Sequence, residues 1–332
     1  MRFLICGLGS IGRRHLRNLN ALDQKDVVLL RTGKSTLPED ELAGNPVESD
    51  LEQALERWHP EAVIVSNPTA THLEIAIPVA KSGCHLLLEK PVSHSLEGID
   101  EFRLAVQLGG GKVLVGFQFR FHPGLQAVKR LIQEDVIGRT ISAHVHWGEY
   151  LPDWHPWEDY RVGYSARKDL GGGVVHTLAH PFDYLRWLLG EVSTVSAELG
   201  ILGDLDLDVE DTAKVTLKFK QGPLASIHLD YNQRPASHWL EIIGTKGTIR
   251  WDNQDGAARW WSSDEGSWQQ IEVSPGFERN ALFLEEMRHF IEVISGDSLP
   301  LCSIEDGIRA LEIAVAAHQS AASGQRINIS DL

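Results

Sequence analysis

The chain has 332 residues, 42% hydrophobic and 23% charged, the make-up of a globular protein long enough for two domains. Its 31 Lys and Arg against 46 Asp and Glu leave a formal charge of −15, which repels a phosphate backbone and argues against general nucleic-acid binding. No apolar run approaches the roughly 20 residues of a membrane span, and three scattered cysteines, Cys6, Cys84 and Cys302, exclude a disulfide framework and point to a reducing cytoplasm.

The N-terminal MRFLICGLGSIGRRH has neither the basic segment nor the cleavage site of a signal peptide. Short apolar runs predict strands at 2–6, 27–30, 62–65, 85–88 and 112–115, nearly continuous in Val, Ile and Leu as strands buried on both faces should be. Amphipathic stretches between them predict helices at 11–20, 51–57, 72–81 and 96–108. Such alternation means βαβ units, hence a doubly wound parallel sheet of the Rossmann kind. After a helix at 123–133 the period changes to alternation, with strands at 140–147, 192–199, 212–219, 225–231, 239–244 and 247–251. Turns such as Lys220-Gln221-Gly222-Pro223 and Gly244-Thr245-Lys246-Gly247 are hairpin chemistry. One helix is expected at 174–189 and two more at 280–294 and 304–322. The fold class is therefore α/β: a Rossmann domain over 1–120, then an α+β domain over 121–332 with an open, mostly antiparallel sheet.

Gly7-Leu8-Gly9-Ser10-Ile11-Gly12 has the G-x-G-x-x-G spacing between the first strand and the first helix. Gly7 permits the tight turn, Gly9 leaves room for a pyrophosphate, and Gly12 lets helix and strand approach. The helix start at Ser10 and Ile11 offers unpaired N–H groups to the phosphate. The second strand ends not on an acidic residue, which would bind a ribose 2′-hydroxyl, but on Arg31-Thr32-Gly33-Lys34. Arg31 and Lys34 can hold a 2′-phosphate, and the planar fork of Arg is the better partner. NADP(H) is thus favoured over NAD(H); solvated loop charges are the alternative.

In a doubly wound sheet ligands sit beyond the carboxyl ends of the strands. Asn67, Pro68, Thr69 and His72 follow the third strand, Glu89 and Lys90 the fourth, and Gln118 and Arg120 the fifth, so all point toward one crevice. Four stretches carry a family resemblance: the first turn, Ser66-Asn67-Pro68-Thr69-Ala70-Thr71-His72, Glu89-Lys90-Pro91, and Gly171-Gly172-Gly173 running through His176 and His180 to Asp183. With the junction Val115–Pro123 they lie in the right order along nearly the whole chain. The chain resembles the glucose–fructose oxidoreductase and inositol dehydrogenase (Gfo/Idh/MocA) family. The resemblance implies nicotinamide binding along the residues just named, with Lys90 bonded to the reacting hydroxyl and His180 as the base.

The residue four before that base is usually Asp in the polyol dehydrogenases of the family; here it is His176. An i, i+4 spacing on one helix would put both rings on one face, making His176 a substrate-site residue, and Asp183 is a candidate to steady the imidazolium. A His-x-x-x-His pair also invites zinc, but the Glu of a His-Glu-x-x-His motif is absent and no metal is expected. The aromatic segment 147–168 is long for a loop; its Tyr150 and Tyr160 are candidate substrate contacts, and interface packing is the alternative. The expected function is NAD(P)-dependent hydride transfer with a secondary alcohol or ketone of a sugar, cyclitol or sugar derivative, in a homodimer or homotetramer. The alternative is a dinucleotide sensor without catalysis, and a metal-dependent enzyme at His176 and His180 stands behind it.

Overall fold

A computed structural model describes residues 1–31, 33, 40–274 and 276–332. The chain forms two compact units, Met1–Gln118 with Arg279–Ile308, and Phe119–Glu278 with Arg309–Leu332.

In the first unit six parallel strands, β1 (Phe3–Cys6), β2 (Val27–Leu30), β3 (Val47–Glu48), β4 (Ala62–Val65), β5 (His85–Glu89) and β6 (Val113–Gly116), lie in the order β3-β2-β1-β4-β5-β6. Every residue of β1, β2, β4 and β6 is buried, which is why their sequences run apolar without alternation. The two-residue β3 has no such run and carries no signal in the sequence. Helices α1 (Ser10–Ala21), α2 (Leu51–Trp58), α3 (His72–Lys81) and α4 (Ile99–Gly109) connect the strands. α4 starts three residues later than expected because Gly98, at φ +77, ends the preceding turn in a left-handed conformation. The strand order reverses between β1 and β4, so the loops after those two strands flank a switch point.

The second unit opens with α5 (Pro123–Gln133), capped by His122, whose Nδ1 accepts from Gly124 N at 3.0 Å. Its sheet contains β7 (Thr140–Tyr150), β8 (Val192–Gly200), β9 (Thr212–Phe219), β10 (Leu224–Asp230), β11 (Asn232–Gly244), β12 (Gly247–Asp252), β13 (Ala258–Ser262), β14 (Trp268–Ile271) and β15 (Ile327–Asn328). The order is β14-β13-β12-β11-β7-β10-β9-β8-β15, antiparallel except where β7 pairs with β10. Ala213, Val215, Leu217 and Phe219 of β9 are buried, while Lys214, Thr216 and Lys218 between them are exposed; one face of the sheet is core and the other is open.

The helix expected over 174–189 is two: α6 (Val174–Thr177) and α7 (His180–Leu189). Pro181 has no N–H to bond the Thr177 carbonyl, and its ring crowds that turn, so a continuous helix stops there. Helices α8 (Arg279–Ser295) and α9 (Ile304–Ser323) follow β14. The division at residue 120 needs one correction: Arg279–Ile308 belongs to the first unit. The Phe283 ring stands edge-on to His15, Arg14 lies 4.4 Å above Phe283, and Asn280 donates to Asn18 at 3.0 Å. A helix's apolar stripe shows that it packs, not which sheet it packs on.

Candidate functional site

The turn after β1 is built around its glycines. A Cβ on Gly7, which sits at φ +90, would meet Asn67 N, and one on Gly12 would collide with the Gly7 carbonyl; neither site admits a side chain. A Cβ on Gly9 would meet nothing within 4 Å, so open space lies beside the start of α1. Gly9 caps that helix with no side-chain hydrogen bond, which leaves the first N–H groups of α1 available to an anion. Across the switch point Ser66 Oγ contacts the Cys6 and Gly7 carbonyls at 3.0 and 2.8 Å, locking the loop after β4 to the loop after β1. Asn67 Oδ1 and Gln118 Oε1 are buried acceptors with no hydrogen-bond partner among the described residues. A cradle that only glycine leaves open, an uncapped helix start and two unmatched amide oxygens fit a dinucleotide.

Other expected cofactor residues brace the loops instead of facing them. His72 is 2% exposed, and its ring nitrogens lie 2.8 Å from Pro91 O and 2.9 Å from Asn67 O. The ring ties the loop after β4 to the Lys90–Pro91 bend, so its expected role as a cofactor contact is corrected to a positioning one. Burial pushes its basicity down, against those two carbonyls. Glu89 is likewise turned inward: its Oε1 lies 2.7 Å from His15 Nε2. Burial alone would raise its carboxyl, but the His15 bond and the neighbouring positive charges outweigh it and hold it low. Lys90 is half-buried directly after β5, before a cis Pro91. Pro68 and Thr69 lie in the same turn as Asn67, Thr69 being buried. Arg31 follows β2, its N–H bonding Glu48 O at 2.9 Å; Thr32 and Lys34 lie outside the described residues.

In the second unit the break before Pro181 puts the two expected site histidines on different helices, His176 on α6 and His180 on α7. His180, 2% exposed, opens α7 with its ring 4.9 Å from Phe119 and 5.6 Å from Trp147. Trp147 in turn stacks on His238 at 4.2 Å. His176 lies in the last turn of α6 with its ring 4.9 Å from His318.

Arg120 lies in a buried ion pair. Its guanidinium is 2% exposed and grips Asp183, itself 1% exposed, through Nε at 3.0 Å and Nη2 at 2.6 Å. This fork-to-fork pair holds the Arg120 guanidinium against the carboxylate considered for the imidazolium. Removing either partner would strand a buried charge, at about 3–5 kcal/mol. Tyr150 carries the Arg234 guanidinium 4.0 Å above its ring, and Tyr160 Oη accepts from Asp206 N at 3.1 Å; both are engaged within their own unit.

Sequence reasoning missed Glu210 and His318. Glu210 Oε1 accepts from Val175 N at 3.1 Å and lies 3.8 Å from His318 Nε2, and a Cβ on Gly173 would collide with this carboxyl group. Burial, with a smaller push from Asp211, raises the Glu210 carboxyl to about 7. The residue stands in the run Asp204-Leu205-Asp206-Leu207-Asp208-Val209-Glu210-Asp211, which reads as a solvated acidic loop. Its only hint was the glycine-rich segment it supports.

Comparison with known proteins agrees with both halves. The family described as "Oxidoreductase family, NAD-binding Rossmann fold" matches residues 1–117, and "Oxidoreductase family, C-terminal alpha/beta domain" matches 129–329. The chain is 28% identical over 349 residues to the myo-inositol 2-dehydrogenase of Thermotoga maritima, covering 100% of this chain and 99% of that protein. It is 26% identical over 348 residues to the scyllo-inositol 2-dehydrogenase (NAD(+)) of Bacillus subtilis, covering 99% and 96%. A levoglucosan dehydrogenase solved in complex with NADH and levoglucosan superposes with a TM-score of 0.87 at 22% identity, over 99% of each chain; at that identity the likeness is one of fold. With both halves matched in chain order, the resemblance seen in the motifs holds, and the chain belongs to the Gfo/Idh/MocA oxidoreductase family.

Proposed function

We propose that this chain is an NAD(P)-dependent dehydrogenase acting on a secondary alcohol, or in reverse a ketone, of a sugar, cyclitol or sugar derivative. The observation that carries the reading is the turn after β1, where Gly9 leaves open space at an uncapped helix start while Gly7 and Gly12 are pinned by backbone contact. Relatives that span the whole chain are named for inositol oxidation, which supports a carbohydrate-like substrate. The turn after β1 would hold the nicotinamide cofactor, whose chemistry when bound would be to accept or supply the hydride. Lys90 holds and polarises the reacting oxygen through its ammonium group. His180 takes the hydroxyl proton; its imidazole, packed against Phe119 and Trp147, is shielded from bulk water.

NADP(H) is the preferred cofactor in this reading. Arg31 follows β2, and the acidic side chain nearest in register, Glu48, is tied to Arg57 Nη1 at 3.1 Å and Trp58 Nε1 at 2.8 Å.

The test is nicotinamide reduction with NADP⁺ and NAD⁺ separately, across cyclitols, free sugars, sugar phosphates and nucleotide sugars. Lys90→Ala is expected to lower kcat/KM by roughly 10²–10⁴-fold, the usual contribution of a group acting on the transferred proton, while cofactor binding by fluorescence is retained. Arg31→Ala is expected to weaken NADP⁺ and spare NAD⁺. Tight cofactor binding without turnover on any substrate class would favour the sensor reading, and equal loss of both cofactors in Arg31→Ala would remove the preference for NADP(H).

A further inference from the structure

The open face of the nine-stranded sheet carries a group of nitrogen and oxygen donors that the dehydrogenase chemistry does not use. β7 and β10 run side by side with His146 and His228 as direct partners, and the two-residue period of a strand brings Asp230 to the same face as His228. One donor atom from each of the three lies within 4.8 Å of the others. The two imidazole rings stack at 4.7 Å, and His228 Nε2 lies 2.8 Å from Asp230 Oδ2. Asp230 Oδ1 is held by Asn232 N at 2.8 Å, which leaves the carboxylate oriented toward the histidines. Gln233 Oε1, bonded to His146 Nε2, adds a fourth donor atom, an oxygen. Gly148, the register partner of Asp230, leaves the space these groups fill: a Cβ there would collide with both Asp230 Oδ2 and Gln233 Oε1. His228 Nδ1 is buried with no hydrogen-bond partner among the described residues.

We propose that His146, His228 and Asp230, with Gln233 beside them, bind one transition-metal dication of the zinc class. Donors around a tetrahedral zinc sit about 3.3–3.6 Å apart when each is 2.0–2.2 Å from the metal, so His228 and Asp230, at 2.8 Å, would open by about 0.5 Å and a pair at the 4.8 Å limit would close by at most about 1.5 Å, movements that side-chain rotation supplies. Two imidazoles and a carboxylate select zinc, cobalt, nickel or copper over magnesium and calcium, which prefer all-oxygen shells. Lys214, the register partner of His228 on β9, is exposed, and solvent screens its charge from the site. The site stands independently of the proposed hydride chemistry.

The experiment uses the full chain after chelator treatment and desalting, dialysed against Zn²⁺ with bound metal counted by mass spectrometry, and titrated with Co²⁺ by visible absorption. The expected result is one metal per chain with the intense absorption of four-coordinate cobalt. His228→Ala and Asp230→Asn should each weaken binding by roughly tenfold or more, as loss of a coordinating or orienting group does, and His144→Ala, one strand period away, should not. Unaltered NAD(P)H binding in each variant reports that the chain is folded. Absence of stoichiometric metal in the unsubstituted chain, or equal binding in the His228 and Asp230 variants, would overturn the proposal.

Discussion

Burial at Glu210 raises its carboxyl to about 7 from an ordinary 4.5, so between those values the folded chain holds a proton that the unfolded chain has released. A folded-state value raised above the unfolded one stabilises fully below the lower pH and loses that contribution as pH rises through the higher. The full effect is about 3 kcal/mol at 1.36 kcal/mol per pH unit. Thermal unfolding of the unsubstituted protein should therefore lose stability between pH 5 and 7 relative to Glu210→Gln. Burial pushes the neighbouring His318 down, which acts in the opposite sense below 6.5 in both proteins, so the difference between the two curves isolates Glu210. Parallel curves would show that Glu210 does not titrate in this range. At this scale the sequence was partly legible. Lys90 could be named because it directly follows a strand, where ligands gather. Arg120 could not be sorted from a substrate ligand, because the carboxylate that claims it is 63 residues away.

The turn between β1 and α1 separates the two uses of glycine. Gly9→Val places its side chain in open space and should leave the thermal midpoint unchanged while weakening cofactor binding at least roughly tenfold, because the added carbons occupy the pyrophosphate's path. Gly12→Ala drives a Cβ into the Gly7 carbonyl and should destabilise the fold by about 1–3 kcal/mol as well. Calorimetry paired with cofactor fluorescence checks both; unchanged affinity in Gly9→Val would mean that the turn does not hold the phosphates. α6 and α7 give the opposite lesson about elements. Apolar spacing over 174–189 suited one helix, yet the breaker Pro181 was in plain view, and weighing it would have divided the segment into two helices. β3, at two residues, is shorter than any periodic signal.

A nine-stranded sheet with one open face, bearing Leu224 and Trp239 at 50% and 36% exposure, is the surface on which we expect two copies of the chain to meet. Sedimentation velocity should show a dimer or tetramer, and Trp239→Glu should shift it toward monomer. With a charge of −15, association should tighten between low and physiological salt as like-charge repulsion is screened; a monomer at every salt and protein concentration would remove this reading. No helix among the described residues is long and apolar enough to cross a membrane. The sequence by itself determined the architecture of each half and the dinucleotide turn, since strand period, glycine spacing and helix starts are local consequences of backbone sterics and of which residues water expels. Only tertiary structure decided that Arg279–Ile308 packs with the first unit, that Asp183 claims Arg120, that His72 braces two loops, and that His146 lies beside His228. Each of these depends on which distant segments share a surface, a choice made by packing and charge compensation between residues far apart in the chain, which no local pattern records.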